Sequence, residues 1–351
     1  MFHYRLAFPA ALAFITVFLI SCNSGPRLPK GAEGTIPIKI SRFDKDFFAL
    51  DTNNLEAGLK SLEEKYPDFY PGFLTAILGI APQGPLAHLA VKSFLTSYLP
   101  VYRAALPLAE KGIPQMAPQI EQGLQWMRYL VPSFRPDSPF VVTTFIGPMD
   151  AFESFSVGDY GDVRTANGVG VALQLHLGEG EPIYQEGMQS GVFFNYQVRR
   201  FSKETVPVNA MKNIIDDLYP YQAAGKTLVE EMVEKGKRIY LLKRVMPNVA
   251  DSLLIGYTGN QFKGCFENEA TIWGFFVKND LLFSIEPSIN QQYIKDGPKT
   301  PELGDASPGY IGLFTGWRIV EAFMGKRPKT TIEQLMGLPA AEIFQASGYK
   351  P

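Results

Sequence analysis

Apolar residues recur along this chain at two spacings, and the points where one gives way to the other mark its organisation. Residues 36–40 predict a short strand, and residues 55–65 predict a helix that Asn53 or Asn54 would cap. Apolar runs at 73–80, 86–99 and 120–131, separated by Pro82, Pro85, Pro100, Pro114 and Pro132, predict further helices ending at those prolines. Past Pro139 the residues turn β-branched and aromatic, so 140–146 predicts a strand bounded by Pro139 and Gly147. Residues 171–177 alternate, with Val171, Leu173, Leu175 and Leu177 on one face and Gln174 and His176 on the other. A hairpin of these two strands is the simplest sheet.

Helical spacing then returns. Residues 196–218 predict a helix broken at Pro207, and helices follow at 226–242 and 267–276. The segment 309–324 is apolar almost all round and carries Gly312 and Gly316 four apart, which predicts a central helix with another backbone close by. Short amphipathic segments at 331–336 and 340–346 close the chain. The pattern predicts an α+β, predominantly α-helical fold with a small antiparallel sheet. It forms a single domain over 36–351, helical in its first part (36–135) and carrying the sheet and a second helical part over 136–351.

The N-terminal end changes this picture. His3 and Arg5 precede an apolar run at 6–20, and Leu19, Ile20 and Ser21 lead into Cys22, the pattern of a bacterial lipoprotein signal whose Cys takes the lipid. About 15 apolar residues, interrupted by Pro9, fall short of the roughly 20 that span a bilayer. Residues 1–21 are therefore expected to be a signal peptide, and 22–35, rich in Gly and Pro, a flexible tether. The formal charge of −2, one unit more negative without Arg5, offers no basic patch and excludes nucleic acid as a partner. With Cys22 lipidated, Cys265 has no partner for a disulfide and reads as a small core residue.

Candidate chemistry concentrates in the helices at 226–242 and 267–276. A zinc peptidase of the His-Glu-x-x-His type holds its metal with two histidines one turn apart, uses the Glu between them as base, and takes a third ligand from a later helix, often within Asn-Glu-Ala. Here Glu230, Glu231 and Glu234 occupy the three motif positions, and Asn268-Glu269-Ala270 stands intact. Both ligand histidines are missing. Once His3 leaves with the signal only His88 and His176 remain, a count that nearly excludes a two-His metal site, and His176 reads as a solvated or internally satisfied strand residue. Helical geometry puts Glu230 and Glu234 opposite the apolar stripe, and Lys235 and Arg238 lie at i+4 from Glu231 and Glu234, the pattern of a solvated face. Glu269 shares a face with Phe266, Ile272, Trp273 and Phe276, so it is expected to be the chain's most buried charge and to need a partner. Arg318 is the best candidate, with Glu321 a rival for it. The Gly-rich loop at 158–168 lacks the Gly-Lys-Ser/Thr of a phosphate-binding loop.

Taken together, Arg42-Phe43-Asp44, the stretch 173–178, Arg199-Arg200, Glu231-Met232 with Gly236-Lys237, Asn268-Glu269-Ala270 with Trp273, Gly316-Trp317-Arg318 and Ser347-Gly348-Tyr349 make the chain resemble the gliding-motility lipoprotein GldB family. That family is itself similar to a broader group of zinc-peptidase-like proteins. The resemblance spans about 36–351. It implies a peptidase-like helical core and an envelope lipoprotein that supports gliding motility and the associated type IX secretion machinery. Its partners would be the membrane, through Cys22, and envelope proteins of that machinery. Carried over by position, Glu231 matches the peptidase base, Glu269 the carboxylate ligand, and Glu230 and Glu234 replace the histidines, so a degenerate site without metal or cofactor is expected. The leading expectation is a non-catalytic, protein-binding component. Alternatives are a metal-dependent hydrolase with Glu231 as base and a cell-wall or polysaccharide-binding lipoprotein. Because no acidic residue follows Cys22, the expected site is the periplasmic face of the outer membrane. A Cys22→Ala form should lose the processed, lipid-labelled species in membrane fractions; unchanged labelling would contradict the assignment.

Overall fold

The computed structural model describes residues 26–30, 32, 34–81, 85–149 and 161–351. The expected signal segment and Cys22 lie outside these residues, and the expected tether is described only from residue 26. Its end is fastened to the fold: the Ile36 amide donates to Glu121 Oε1 at 3.1 Å, and Arg128 Nη2 donates to the Gly34 carbonyl.

The described chain is a helix-rich α+β fold around one four-stranded sheet, in the order β1 (Ile38–Ser41), β2 (Phe140–Phe145), β4 (Gly168–Ala172), β3 (Val163–Thr165). β2 runs parallel to both β1 and β4, and only β3 and β4 pair as an antiparallel hairpin. The sheet is thus mixed, not antiparallel, and the expected hairpin of 140–146 with 171–177 does not form. Parallel strands need a long crossover, and β1 reaches β2 through α1 (Phe43–Phe48), α2 (Leu55–Lys65), α3 (Pro85–Pro107) and α4 (Ile113–Leu130). Both sheet faces are covered, so β2 and β4 are buried almost throughout.

Each face has its own apolar cluster. On one side Phe43 of α1 is fully buried among Phe47, Tyr66, Phe69 and Phe73, with ring centroids 4.7–5.5 Å apart. The residues flanking Phe43 hold it there. Arg42 grips Asp44 with two hydrogen bonds of 2.9 and 2.7 Å, and Thr144 Oγ1 donates to the same carboxylate at 2.5 Å, tying α1 to β2. On the other side pack α4, α6 (Thr205–Leu218), α7 (Leu228–Val245) and α11 (Ile311–Lys326), with α5 (Pro182–Gln189) at the first cluster.

Two expected helix breaks are not where the prolines stand. α3 runs through Pro100, which lies on its exposed side, where a carbonyl left without its helical donor can tilt toward solvent. The break expected at Pro207 comes earlier, at residues 199–204, because Pro207 sits in the first turn of α6, where amides need no intrahelical partner. The expected helix at 267–276 starts two residues later, as α9 (Glu269–Lys278), because Glu267 ends a separate helix, α8 (Gly259–Glu267), and Asn268 lies between them. α10 (Pro287–Ile294), α12 (Ile332–Gly337) and α13 (Ala340–Ser347) complete the second helical part.

α7 and α11 pack along each other more extensively than any other two helices. At their crossing a Cβ on Gly316 would run into the Met232 carbonyl, and one on Gly236 into the Gly316 carbonyl. One turn earlier, Gly312 lies against the Tyr293 carbonyl of α10. Backbone meets backbone here, with no flexible side chain to yield. Gly316→Ala should therefore cost about 3 kcal/mol or more in denaturant unfolding, whereas Gly325→Ala, on the same helix with nothing near its Cβ, should cost nothing measurable. Equal stability of the two variants would show that the crossing can relax.

Candidate functional site

The peptidase-position carboxylates separate into individual structural contacts. Thr227 precedes α7, and both its amide and its hydroxyl donate to Glu230 Oε2, at 2.8 and 2.7 Å. Those hydrogen bonds hold the Glu230 carboxyl below its ordinary range. This is a capping box, and its signal, Thr227-x-x-Glu230 before an apolar run, was present in the sequence. Glu230 closes the helix end and does not stand in a metal shell.

Glu231 departs from the solvated position expected for it. It is only 5% exposed, and Tyr221 Oη and Asn290 Nδ2 both donate to its carboxylate, the latter at 2.8 Å. Burial, and then the Glu231 charge, push the Tyr221 phenol upward, so it remains a donor. Lys235, the expected i+4 partner, instead lies over the rings of Tyr221 and Tyr310, at 4.8 and 5.2 Å. The residues that cover Glu231 come from the loop before α7 and from α10, separations that helical periodicity does not report.

Glu234 is also enclosed more than expected. It faces Lys237 at 3.0 Å and Lys226 and Arg238 at 3.6 Å. Lys237 is fully buried and donates to the Leu338 carbonyl at 2.8 Å, pinning α7 to the segment between α12 and α13; burial lowers its ammonium despite Glu234.

At Glu269 the structure brings α9, α11 and the C-terminal end together. Arg318 Nε donates to Glu269 Oε1 at 2.8 Å, Tyr349 Oη donates to the same oxygen at 2.7 Å, and Arg318 Nη1 reaches Glu321. Burial pulls the Arg318 guanidinium down, but its hydrogen bond to Glu269 together with the charges of Glu269 and Glu321 raises it overall; burial and the Glu269 carboxylate push the Tyr349 phenol up. Glu269 is not the most buried charge: its side chain is 13% exposed, whereas Asp44, Asp162 and Glu231 lie deeper. The break at Asn268 accounts for this by turning Phe266 out of the stripe that was to cover it.

The deepest ionic contact was not legible beforehand. His176 follows the 3-10 turn Leu173–Leu175 and is buried, with Nε2 2.9 Å from Asp162 Oδ2 and Nδ1 3.1 Å from the Ser202 carbonyl. A carbonyl only accepts, so a protonated Nδ1 fills the Ser202 contact and a protonated Nε2 the Asp162 contact, both of which the imidazolium form supplies. Burial lowers its titration, but Asp162 and the Ser202 carbonyl raise it above the ordinary value. Thr205 Oγ1 also lies 3.0 Å from Nδ1, but its hydroxyl proton goes to the Ser202 carbonyl at 2.6 Å, so the group is no activated nucleophile. Cys265 is buried and its thiol is pushed up to about 12, which makes it inert.

Glu230, Glu234 and Glu269 thus do not converge, and among the described residues no group of three His, Cys, Asp or Glu side chains is arranged to hold a metal ion. The residues present do not fit the zinc that a peptidase would carry. What lies beside α7 is a cleft of about 520 Å³ between α6, α7 and the start of α11, opening into a second hollow along α6.

A helix-rich α+β fold whose peptidase-position carboxylates are engaged one by one is the class these features define. The chain belongs to the gliding motility protein GldB family, whose sequence profile matches residues 26–351. No curated protein and no solved structure matches it. The family is one of gliding-motility lipoproteins of the cell envelope, and no helix among the described residues is long and apolar enough to cross a membrane.

Two outcomes follow. Glu269→Gln and Arg318→Met should each lower stability by about 2 kcal/mol, and the double change should lose clearly less than their sum in a double-mutant cycle; additive losses would mean that the pair is not coupled. Because the folded His176 is raised above its unfolded value near 6.5, its stabilisation is complete below that pH and is lost as pH rises through the folded value. Urea unfolding across that window should show the slope in the wild type and not in His176→Gln; the same slope in both would place its origin elsewhere.

Proposed function

We propose that the chain is a non-catalytic, partner-binding lipoprotein that supports gliding motility and the associated type IX secretion machinery. In this reading it is anchored through Cys22 at the periplasmic face of the outer membrane, and residues 36–351 act as one domain. The observation that supports it is the engagement of Glu231, the residue in the position of a peptidase base. Its carboxylate is buried and takes hydrogen bonds from Tyr221 and Asn290, whereas a general base must reach a water or substrate proton. The other carboxylates of the motif brace helices in the same way.

Complementation of a strain lacking the gene tests this. Glu231→Gln, which keeps shape and polarity, should restore colony spreading to the wild-type extent at equal protein level. Loss of spreading by a variant that is folded and normally abundant would point to Glu231 chemistry and to the hydrolase reading.

A further inference from the structure

The geometry points to the cleft beside α7 as the binding site for an acidic peptide segment of an envelope protein, an inference that rests on the partner-binding reading above and names the chemistry of that partner. The two hollows, about 520 and 780 Å³, each fall in the range of ligand sites, and Arg200, Lys212 and Asp296 line both, so they form one elongated groove. Two joined hollows of that volume exceed what a small anion fills.

Its walls are basic and held in place. Arg164 is paired with Asp217 at 3.1 Å, Arg238 with Asp216 at 3.2 Å, and Arg200 with Asp296. A guanidinium carries five N–H donors; Arg164 spends Nε on Asp217 and Nη1 on the Thr165 and Gly168 carbonyls, and Arg200 spends Nη2 on Asp296, so both are fixed in position while Nη2 of Arg164 and Nη1 of Arg200 remain for a second carboxylate. Lys212, Lys235, Lys295 and Arg199 add positive charge to the lining, against Glu179. Burial and the neighbouring Arg200 charge lower the Arg199 guanidinium, which lines the second hollow, the condition that an arriving anion relieves. Between the charges lie Ile215, Leu242, Ile255 and Leu313, which suit apolar side chains alternating with carboxylates along one strand of peptide. At the rim, Tyr310 adopts a left-handed conformation with φ 61°, unusual for a residue with a Cβ, and its carbonyl is held by Tyr257 Oη at 2.9 Å.

The test is fluorescence anisotropy of a short labelled Asp- and Leu-containing peptide titrated with the detergent-solubilised full chain. Saturable binding that weakens with added salt is expected, with at least a tenfold loss of affinity in Lys212→Glu and in Arg200→Glu and no change in Lys60→Glu, on the exposed side of α2. Circular dichroism identifies any variant that fails to fold, and the other cleft variant then decides. Equal binding of the peptide with Asn in place of Asp, displacement by inorganic phosphate at peptide concentration, or unchanged affinity in the folded cleft variants would overturn the assignment. Because binding is read on purified protein, its failure is distinct from a failure of complementation.

Discussion

The close crossing of α7 and α11 is the constraint on which the second half of the molecule depends. Gly236 and Gly316 let the two backbones touch, and that contact fixes everything else either helix carries. From α11, Trp317 is buried beneath Lys243, whose ammonium lies 4.8 Å from its ring, and Arg318 is aimed at Glu269. From α7, Lys237 is directed into the carbonyls before α13, and Glu231 is presented to α10. A side chain at the crossing would push the axes apart, and each of these hydrogen bonds, good to a few tenths of an ångström, would lose its geometry.

The polar contacts then act as directional locks on an otherwise apolar assembly. Buried charges cost free energy unless paired, and here each has an opposite charge or a strong donor within reach. Asp44 has Arg42 and Thr144, Asp162 has His176, Glu231 has Tyr221 and Asn290, and Lys237 has Glu234. A catalytic carboxylate is left with an unfilled direction toward substrate; these carboxylates are directed at the protein itself. The motif positions that in a peptidase would converge on one ion are here distributed over three separate junctions.

How far this was legible depends on whether the signal was local. The 55–65 helix emerges with the bounds its periodicity gives, and the Gly312 and Gly316 spacing announced a close backbone because glycine four apart on an apolar helix has few other uses. Arg318 could be matched to Glu269 because both stood out as charges on apolar helices. The parallel pairing of β1 with β2 was not legible, since it joins strands about a hundred residues apart and depends on the helical crossover. Nor was the burial of Glu231 and His176, which is imposed by Tyr221, Asn290 and Asp162 from other segments. The Thr227 capping box is a local signal, Thr-x-x-Glu before an apolar run, but in this chain the same Glu230 also falls at a motif position of a metal-binding helix, so the local pattern alone supports both roles.

The central claim is that Glu230, Glu231, Glu234 and Glu269 serve the fold and not a metal. Elemental analysis of the full-length protein, purified without chelator and then exposed to excess zinc and desalted, tests it most directly. The account predicts far less than one zinc per chain, with no difference between wild type and Glu269→Gln. One tightly held zinc per chain, lost on Glu269→Gln, would contradict it.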